Sequence, residues 1–318
     1  MAADYDGDRL LPHWLDHYLA LGINPEHILL DILHDPDADR TGIDNVLALL
    51  KSYQVDYSLL ELVYTPELQD RAMVFALSSI IGRSEDWVIV ADNDELFTYG
   101  MDSIWDVVAD IDSQQATFAM GEMLDRVSSD GKLGAVLRQP SIWQQFPLTC
   151  PLVANLAEGL PAKVTIFKNY LRPGAGHHHI VEPEWAEEYF GPRCSGQHCE
   201  HIMKTFKQRS KQDLLMATPY LRHKHVYGQN GWKAVQYTKW TKVWHFKWHQ
   251  GVLHNLKARM ARDSGDCQIG RNEDACTPNF VFWKEVAKVF ESLNATQSLN
   301  TSAMQCSTHF RDTFWKWE

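Results

Sequence analysis

The sequence lacks the features that would place it in a membrane, in the secretory pathway or on nucleic acid. It contains no apolar run of about 18 residues, the length that a transmembrane helix needs, and its first residues, Met-Ala-Ala-Asp-Tyr-Asp, do not form a secretory signal. Acidic residues outnumber lysine and arginine, which gives a formal net charge of −11. General nucleic-acid binding relies on lysine and arginine at phosphates and is therefore not expected. We predict a cytoplasmic protein with no transmembrane segment and no nucleic-acid partner.

Cysteine is also scarce. Six cysteines in 318 residues do not form a disulfide scaffold, and in a reducing compartment we expect them to be thiols. Cys194 and Cys199 lie close to His198 and His201, a set that offers ligands for Zn²⁺. The spacing matches no usual zinc site, so we interpret this segment as a loop that carries thiols.

Strands and helices alternate along the first half of the chain. Segments with apolar side chains at helical spacing are separated by short runs rich in valine, isoleucine and leucine. This alternation predicts a doubly wound α/β sheet. From about residue 181 the pattern becomes helical, aromatic and basic. The predicted helices cover residues 9–22, 43–53, 66–82 and 102–110, and the predicted strands cover residues 27–33, 55–63, 87–91, 116–120 and 163–168.

An acidic cluster follows the predicted buried strand 87–91. Asp92, Asp94 and Glu95 place three carboxylates within four positions at the end of this strand, where open α/β sheets bind their ligands. Side chains alternate along an extended backbone, so Asp92 and Asp94 face the same way, as in a D-x-D metal motif. Oxygen ligands in this position suit Mg²⁺ or Mn²⁺. A helix N-terminus capped by Asp94 and Glu95 explains the same residues.

Charge is divided between the two halves of the chain. Acidic residues dominate before residue 130, whereas residues 201–262 are rich in lysine, arginine, histidine and tryptophan. An anionic substrate bridged by a metal would fit between an acidic and a basic wall. Two separate solvated surfaces explain the same distribution.

A series of motifs, taken in order, carries the resemblance to a known family. The motifs are residues 13–22, Asp86–Glu95, Asp125-Arg126 with Asp130-Gly131, Phe146-Pro147, His177–His179 and His245–His249. Together they resemble the family-2-type glycosyltransferases of the GT-A class, over roughly residues 9–260. The resemblance implies a GT-A (Rossmann-like) fold, in which helices flank a central mixed sheet and a helical C-terminal lobe follows. It also implies a nucleotide diphosphate-sugar donor, a divalent metal, a core over residues 1–180 and a mostly helical region over residues 181–318 that binds acceptor and closes on the donor.

The resemblance implies a metal site that contains Asp94. We assign Asp94 as a direct metal ligand. Asp92 is either a ligand, direct or through water, or the contact to the ribose of the donor. Glu95 is expected to contact the ligands rather than the ion. In the histidine run, His178 is the leading metal ligand and His177 the second. Histidines stacked in a polar loop, with no metal, are the alternative explanation of this run.

The later basic segment carries the residues expected to contact the donor. Lys247 can neutralise the diphosphate, His245 can do the same or bind the metal, and Trp248 can cover the sugar or the base. An exposed amphipathic strand has the same alternation of aromatic and basic residues.

Sugar transfer with inversion, which the resemblance implies, needs a carboxylate that accepts the proton of the acceptor hydroxyl. We predict Asp125 as this base, with Glu122 second; an Asp125–Arg126 pair or a helix cap is the alternative. The predicted function is a metal-dependent glycosyltransferase that acts on a glycan or another hydroxyl acceptor. A metal-dependent hydrolase, or a non-catalytic carbohydrate-binding protein that uses the 12 tryptophans, competes with it.

Overall fold

The chain folds as an α/β protein with a mixed sheet and flanking helices, which confirms the coarse fold class. A computed structural model describes residues 7–34, 40–61, 85–152, 162–171, 173, 175–178, 180, 234–252, 298–299, 301 and 306. The predicted helix 66–82, the cysteine-rich segment 194–201, His179 and most of the region 181–318 lie outside these residues.

The first elements match their predictions. Helix α1, Gly7–Ala20, buries Leu11, Leu15 and Tyr18 along one face, and Gly22 just beyond it has a φ of 92°, which a glycine adopts without strain. A short 3₁₀ helix, Pro25–His27, then leads to strand β1, Leu29–His34. Helix α2, Arg40–Tyr53, and strand β2, Asp56–Glu61, follow, and β1 and β2 pair in parallel.

A larger sheet of six strands holds the rest of the described core. Its order is β3-β7-β5-β8-β4, with β6 paired to β5. Among the described strands of this sheet, β5 and β8 run parallel to each other and the other pairs are antiparallel. The strands are β3 Trp87–Val88, β4 Glu95–Thr98, β5 Phe118–Val127, β6 Leu148–Cys150, β7 Ala162–Lys168 and β8 Thr241–His245; the helices between them are α3 Ile104–Ser113 and α4 Ile142–Gln145, with a 3₁₀ turn at Ala175–His177.

Three predictions of secondary structure are wrong, two in an element's boundaries and one in its type. The strand expected over residues 87–91 ends at Val88, lies at the edge of the sheet and is only half-buried. The strand expected over residues 116–120 continues to Val127, so Glu122 and Asp125 lie inside it. Residues 241–245, expected to be helical, form strand β8, whose alternating burial is typical of a strand.

The two faces of the large sheet have different coverings. One face contributes Leu96, Ile166 and Phe246 to the main core, which also contains the apolar sides of α1, α2 and α3. On the other face, Phe97, Met123 and Val243 form a smaller cluster. Ile89 and Ala91, in the segment after β3, pack against this cluster. The covering segment therefore brings its next residues, which are acidic, to the same face.

A disulfide joins Cys150 in β6 to Cys306, 156 residues later. The expectation that all six cysteines are thiols is therefore wrong for this pair. Both side chains belong to a small apolar cluster with Val127, Leu152 and Trp248, where two sulfurs from distant parts of the chain meet. The longest helices among the described residues have 14 residues, and none of the described helices could span a membrane.

Candidate functional site

Strand register brings charged side chains from four strands to one region of the sheet. Glu95 in β4 pairs with His245 in β8, and His245 also pairs with Asp125 in β5. Lys163 in β7 pairs with Gly121 of β5. Because side chains alternate along strands, these four charged residues lie on the face that carries Phe97, Met123 and Val243. Asp92 and Asp94 join them from the segment before β4; we call these six residues the charged cluster.

Lys163 is the cation at one side of the charged cluster. It is 3% exposed, and its Nζ donates to Asp92 Oδ2 at 3.2 Å and to Glu95 Oε1. Sequence reasoning treated residues 163–168 only as a strand and missed this residue. The signal was present, because a lysine inside a strand that is buried on both faces requires an anionic partner.

The pKa values around Lys163 follow from burial and from neighbouring charge. Burial raises the pKa of Glu95 to about 7, although Lys163 acts against it. Partial burial also acts to raise the pKa of Asp92, but Lys163 and then His177 outweigh it and lower that pKa to about 2. Burial acts to lower the pKa of Lys163, yet Glu95 and Asp92 hold it above its ordinary value.

His245 lies between two carboxylates at the other side of the charged cluster. Its Nδ1 is 2.8 Å from Asp125 Oδ1, and its Nε2 is 3.4 Å from Asp94 Oδ2. Burial acts to lower the pKa of His245, but Asp94 and Asp125 raise it to about 10. Burial likewise acts to raise the pKa of Asp94, and His245 and Lys247 bring it below its ordinary range. The ring therefore carries a positive charge at neutral pH.

Asp125 is too deeply buried for its predicted role as the base that accepts the proton of the acceptor hydroxyl. The prediction placed it after a strand, from which it could project over a donor. It is instead inside β5 and 0% exposed, and the indole N–H of Trp248 donates to the same Oδ1 that faces His245, at 2.8 Å. Trp248, expected to cover a sugar or a base, is itself buried.

Three side chains of the charged cluster can hold a metal ion. Asp94, Glu95 and His245 each offer one ligand atom, and these atoms lie within 4.8 Å of one another. Glu95 Oε2 is buried and meets no hydrogen-bond donor among the described residues, a costly state that a cation would relieve. Carboxylates suit Mg²⁺ and Mn²⁺, and the imidazole favours a transition ion such as Mn²⁺. Because the ring is charged at neutral pH, an ion must displace its Nε2 proton.

The histidine run approaches the charged cluster through His177. This side chain is buried, and burial, followed by the charge of Lys163, lowers its pKa to about 4, so the ring is neutral at neutral pH. His177 also influences the pKa of Asp92. His178, the leading predicted ligand, instead donates from Nδ1 to the Ala162 carbonyl at 2.7 Å. The metal group formed by Asp94, Glu95 and His245 contains neither histidine.

The remaining predicted residues lie at different distances from this centre. Glu122 points to the opposite face of β5 and is paired with Lys242 Nζ at 2.7 Å. Lys247 is half-buried, and its charge contributes to the low pKa of Asp94. The structure therefore brings Asp92, Asp94, His245 and Lys247 together, and it separates Glu122 from them.

Comparison with known proteins gives no assignment for this chain. No protein-family model matches it. No curated protein matches it either. The resemblance to glycosyltransferases therefore stays a prediction that depends on the motifs and on the geometry of the charged cluster.

Proposed function

We propose that this chain is a metal-dependent glycosyltransferase of the GT-A type, which moves a sugar from a nucleotide diphosphate donor to an acceptor hydroxyl. The observation that carries the proposal is the meeting of Asp94 and His245. An aspartate of the D-x-D motif and a histidine of the later basic motif, 151 positions apart in the sequence, have ligand atoms 3.4 Å apart. A pair of unrelated solvated surfaces would not produce this contact.

The chemistry of sugar transfer makes use of such a centre. Departure of a nucleoside diphosphate leaves negative charge on its outer phosphate, and a bound divalent ion supplies the charge that stabilises it. Asp94, Glu95 and His245 are the residues that would hold this ion. The Asp94 side chain is 24% exposed, so one side of the donor set remains open to a ligand. Lys247, beside Asp94 and half-buried, is placed to attract the diphosphate.

Asp92 has a second role in this proposal. Its side chain is 36% exposed and is held by Lys163, which fixes one carboxylate oxygen and leaves the group at the edge of the charged cluster. This position suits a contact to the donor ribose or a ligand through water. Asp125 is sealed from any acceptor, and Glu122 is paired on the other face, so neither supports the role of general base.

A metal-dependent hydrolase is the competing function, because the same three ligands could hold an ion that activates water. Affinity for nucleotide separates the two. Isothermal titration calorimetry with UDP and with GDP, with and without Mn²⁺, tests the proposal directly. We expect nucleotide binding that depends on Mn²⁺. Metal binding that is indifferent to both nucleotides would favour the hydrolase.

Replacing Asp94 by alanine tests the metal site. We expect Asp94→Ala to abolish Mn²⁺-dependent nucleotide binding and donor turnover while the circular dichroism spectrum stays unchanged, because the substitution removes a partly exposed charge and little core volume. Asp44→Ala removes an exposed carboxylate of α2 and is the matched control. Unchanged turnover in Asp94→Ala would refute the assignment of this residue.

A further inference from the structure

Asp125 is the most deeply buried carboxylate of the charged cluster. It is 0% exposed in the middle of the sheet, where an ionised group is stable only with charged or hydrogen-bonded partners. Two N–H groups supply them: His245 Nδ1 and Trp248 Nε1 each lie 2.8 Å from Asp125 Oδ1. A group enclosed in this way cannot touch a substrate.

The hydrogen bond to Asp125 determines how the His245 ring is placed. Since Asp125 Oδ1 accepts a hydrogen bond from His245 Nδ1, that nitrogen carries a proton, and the bond fixes the orientation of the ring relative to Asp125. The opposite nitrogen, Nε2, then faces Asp94 at 3.4 Å. Parallel pairing of β5 with β8 places Asp125 directly beside His245, so the backbone reinforces the same orientation.

We propose that Asp125 is a positioning residue, which holds His245 so that Nε2 points into the donor set of Asp94 and Glu95. This inference depends on the proposed function for its catalytic meaning, because only a bound ion makes use of the direction of Nε2. Carboxylates that hold the non-ligating nitrogen of a histidine fix its tautomer and raise its basicity as a ligand. Asp125 therefore acts through His245 and is not the base that accepts a proton from the acceptor.

Substitutions at Asp125 separate this role from a merely structural one. Asp125→Asn keeps the shape of the side chain and an acceptor oxygen but removes the charge, and Asp125→Ala removes both. Asp44→Asn, on the exposed face of α2, is the control. The first measurement is Mn²⁺ affinity of the folded protein, by calorimetry below the unfolding midpoint of each variant. We expect affinity to fall by about 10- to 100-fold in both Asp125 variants.

The second measurement reads the ring without any metal. Nitrogen-15 NMR spectra, with the His245 signals assigned from a His245→Gln variant, report how fast the proton on each ring nitrogen exchanges with water. We expect a slowly exchanging Nδ1 proton in the native protein, because Asp125 accepts its hydrogen bond, and fast exchange of this proton in Asp125→Ala. A folded Asp125→Ala variant that keeps both the slow exchange of the Nδ1 proton and the native Mn²⁺ affinity would overturn the proposal.

The two measurements also distinguish failure of this inference from failure of the proposed function. If the native protein binds Mn²⁺ but no nucleotide, the transferase is refuted, and a weaker Mn²⁺ affinity in the Asp125 variants still supports the positioning role. If the native protein binds no Mn²⁺, the proposed function is refuted, and the NMR spectra alone decide whether Asp125 fixes the ring. Lower stability with unchanged metal affinity and unchanged spectra would assign Asp125 a structural role only.

Discussion

At the scale of single residues, the charged cluster is an arrangement of four carboxylates, of which Glu95 and Asp125 are buried, that depends on two buried cations. Removing one partner of a buried ion pair costs about 3–5 kcal/mol, since the remaining charge loses its compensation. Lys163 compensates Asp92 and Glu95, and His245 compensates Asp94 and Asp125. The cluster is therefore a source of stability only while both cations are in place.

The sequence predicted part of this arrangement. The crowding of Asp92 and Asp94 after an apolar run predicted a positive partner, which was expected to be a divalent metal, and His245 was expected to neutralise the diphosphate or to bind that metal. Lys163 was missed because its neighbours in the sequence are apolar, and nothing local indicates which distant carboxylates it meets. The burial of Asp125 was missed for the same reason: its partners, His245 and Trp248, lie 120 and 123 positions away.

The raised pKa of His245 makes the stability of the metal-free protein depend on pH. The folded pKa is about 10, above the ordinary value of 6.5, so the charged ring contributes its full stability below pH 6.5 and loses it as the pH rises towards 10. The pKa of Glu95 is raised from 4.5 to about 7, so its contribution to stability is lost as the pH rises from 4.5 to 7 and does not change the slope above pH 7. Between pH 7 and pH 10 we expect the free energy of unfolding to fall, with a slope of up to about 1.4 kcal/mol per pH unit.

Urea denaturation in the presence of a chelator, repeated across this pH range, measures that slope. The His245→Gln variant should show a much flatter profile, because it has no imidazolium to lose. His27→Gln removes an exposed histidine and should leave the slope as it is in the native protein. An equal slope in the native protein and in His245→Gln would contradict the assignment.

At the scale of elements, local patterns predicted those segments whose burial is decided nearby. Helices α1 and α2 and strands β1, β2 and β7 were all expected close to their observed bounds. Strand β8 was not expected, because its strand conformation depends on pairing with β4 and β5, which lie more than 100 positions earlier in the sequence. Its alternation of buried and half-buried residues, Thr241 to His245, is the signal that indicates a strand.

Gly121 shows how closely β5, β7 and β8 approach one another. A Cβ atom at this position would lie 2.6 Å from side-chain atoms of Thr165 and Thr241 and 2.9 Å from Val243. We therefore expect Gly121→Ala to lower the free energy of unfolding by about 1–3 kcal/mol, the usual cost of overpacking. The clash also separates β8 from β5, so Mn²⁺ affinity should fall, since these strands carry His245 and Asp125.

Chemical denaturation and calorimetry on the same variant test both effects. Gly134→Ala is the matched control, because its added Cβ meets no heavy atom within 4 Å among the described residues, its two chain neighbours apart. If Gly121→Ala were as stable as Gly134→Ala, the close approach of the three strands at this point would be wrong.

At the scale of the whole molecule, the described core is closed by a covalent link. The Cys150–Cys306 disulfide connects strand β6 to a residue near the C-terminal end of the sequence. Cys150 also pairs with Asp125 across the sheet, and the apolar cluster around the disulfide includes Trp248, which donates to Asp125. Disulfides persist mainly in oxidising compartments, so the cytoplasmic location predicted from the sequence stays a prediction that this link does not favour.

The disulfide should contribute strongly to stability because it closes a long loop. Cross-links over loops of this size typically stabilise a protein by about 2–5 kcal/mol, chiefly by restricting the unfolded chain. We expect the Cys150→Ser/Cys306→Ser variant, in oxidising buffer, to show a free energy of unfolding lower by this amount. Mass spectrometry of a non-reduced digest should identify the linked peptide in the native protein.

A second variant makes this result specific to one pair. Replacing the other four cysteines, Cys194, Cys199, Cys267 and Cys276, by serine leaves only the two that are joined. This variant should lose stability on treatment with dithiothreitol. The stability of Cys150→Ser/Cys306→Ser should not respond to cleavage of this bond, because the bond is absent. Because the disulfide packs beside Trp248, its reduction should also weaken Mn²⁺ binding if Asp125 positions His245. Two free thiols at positions 150 and 306 in the native protein, detected by alkylation under denaturing conditions without reductant, would contradict the link itself.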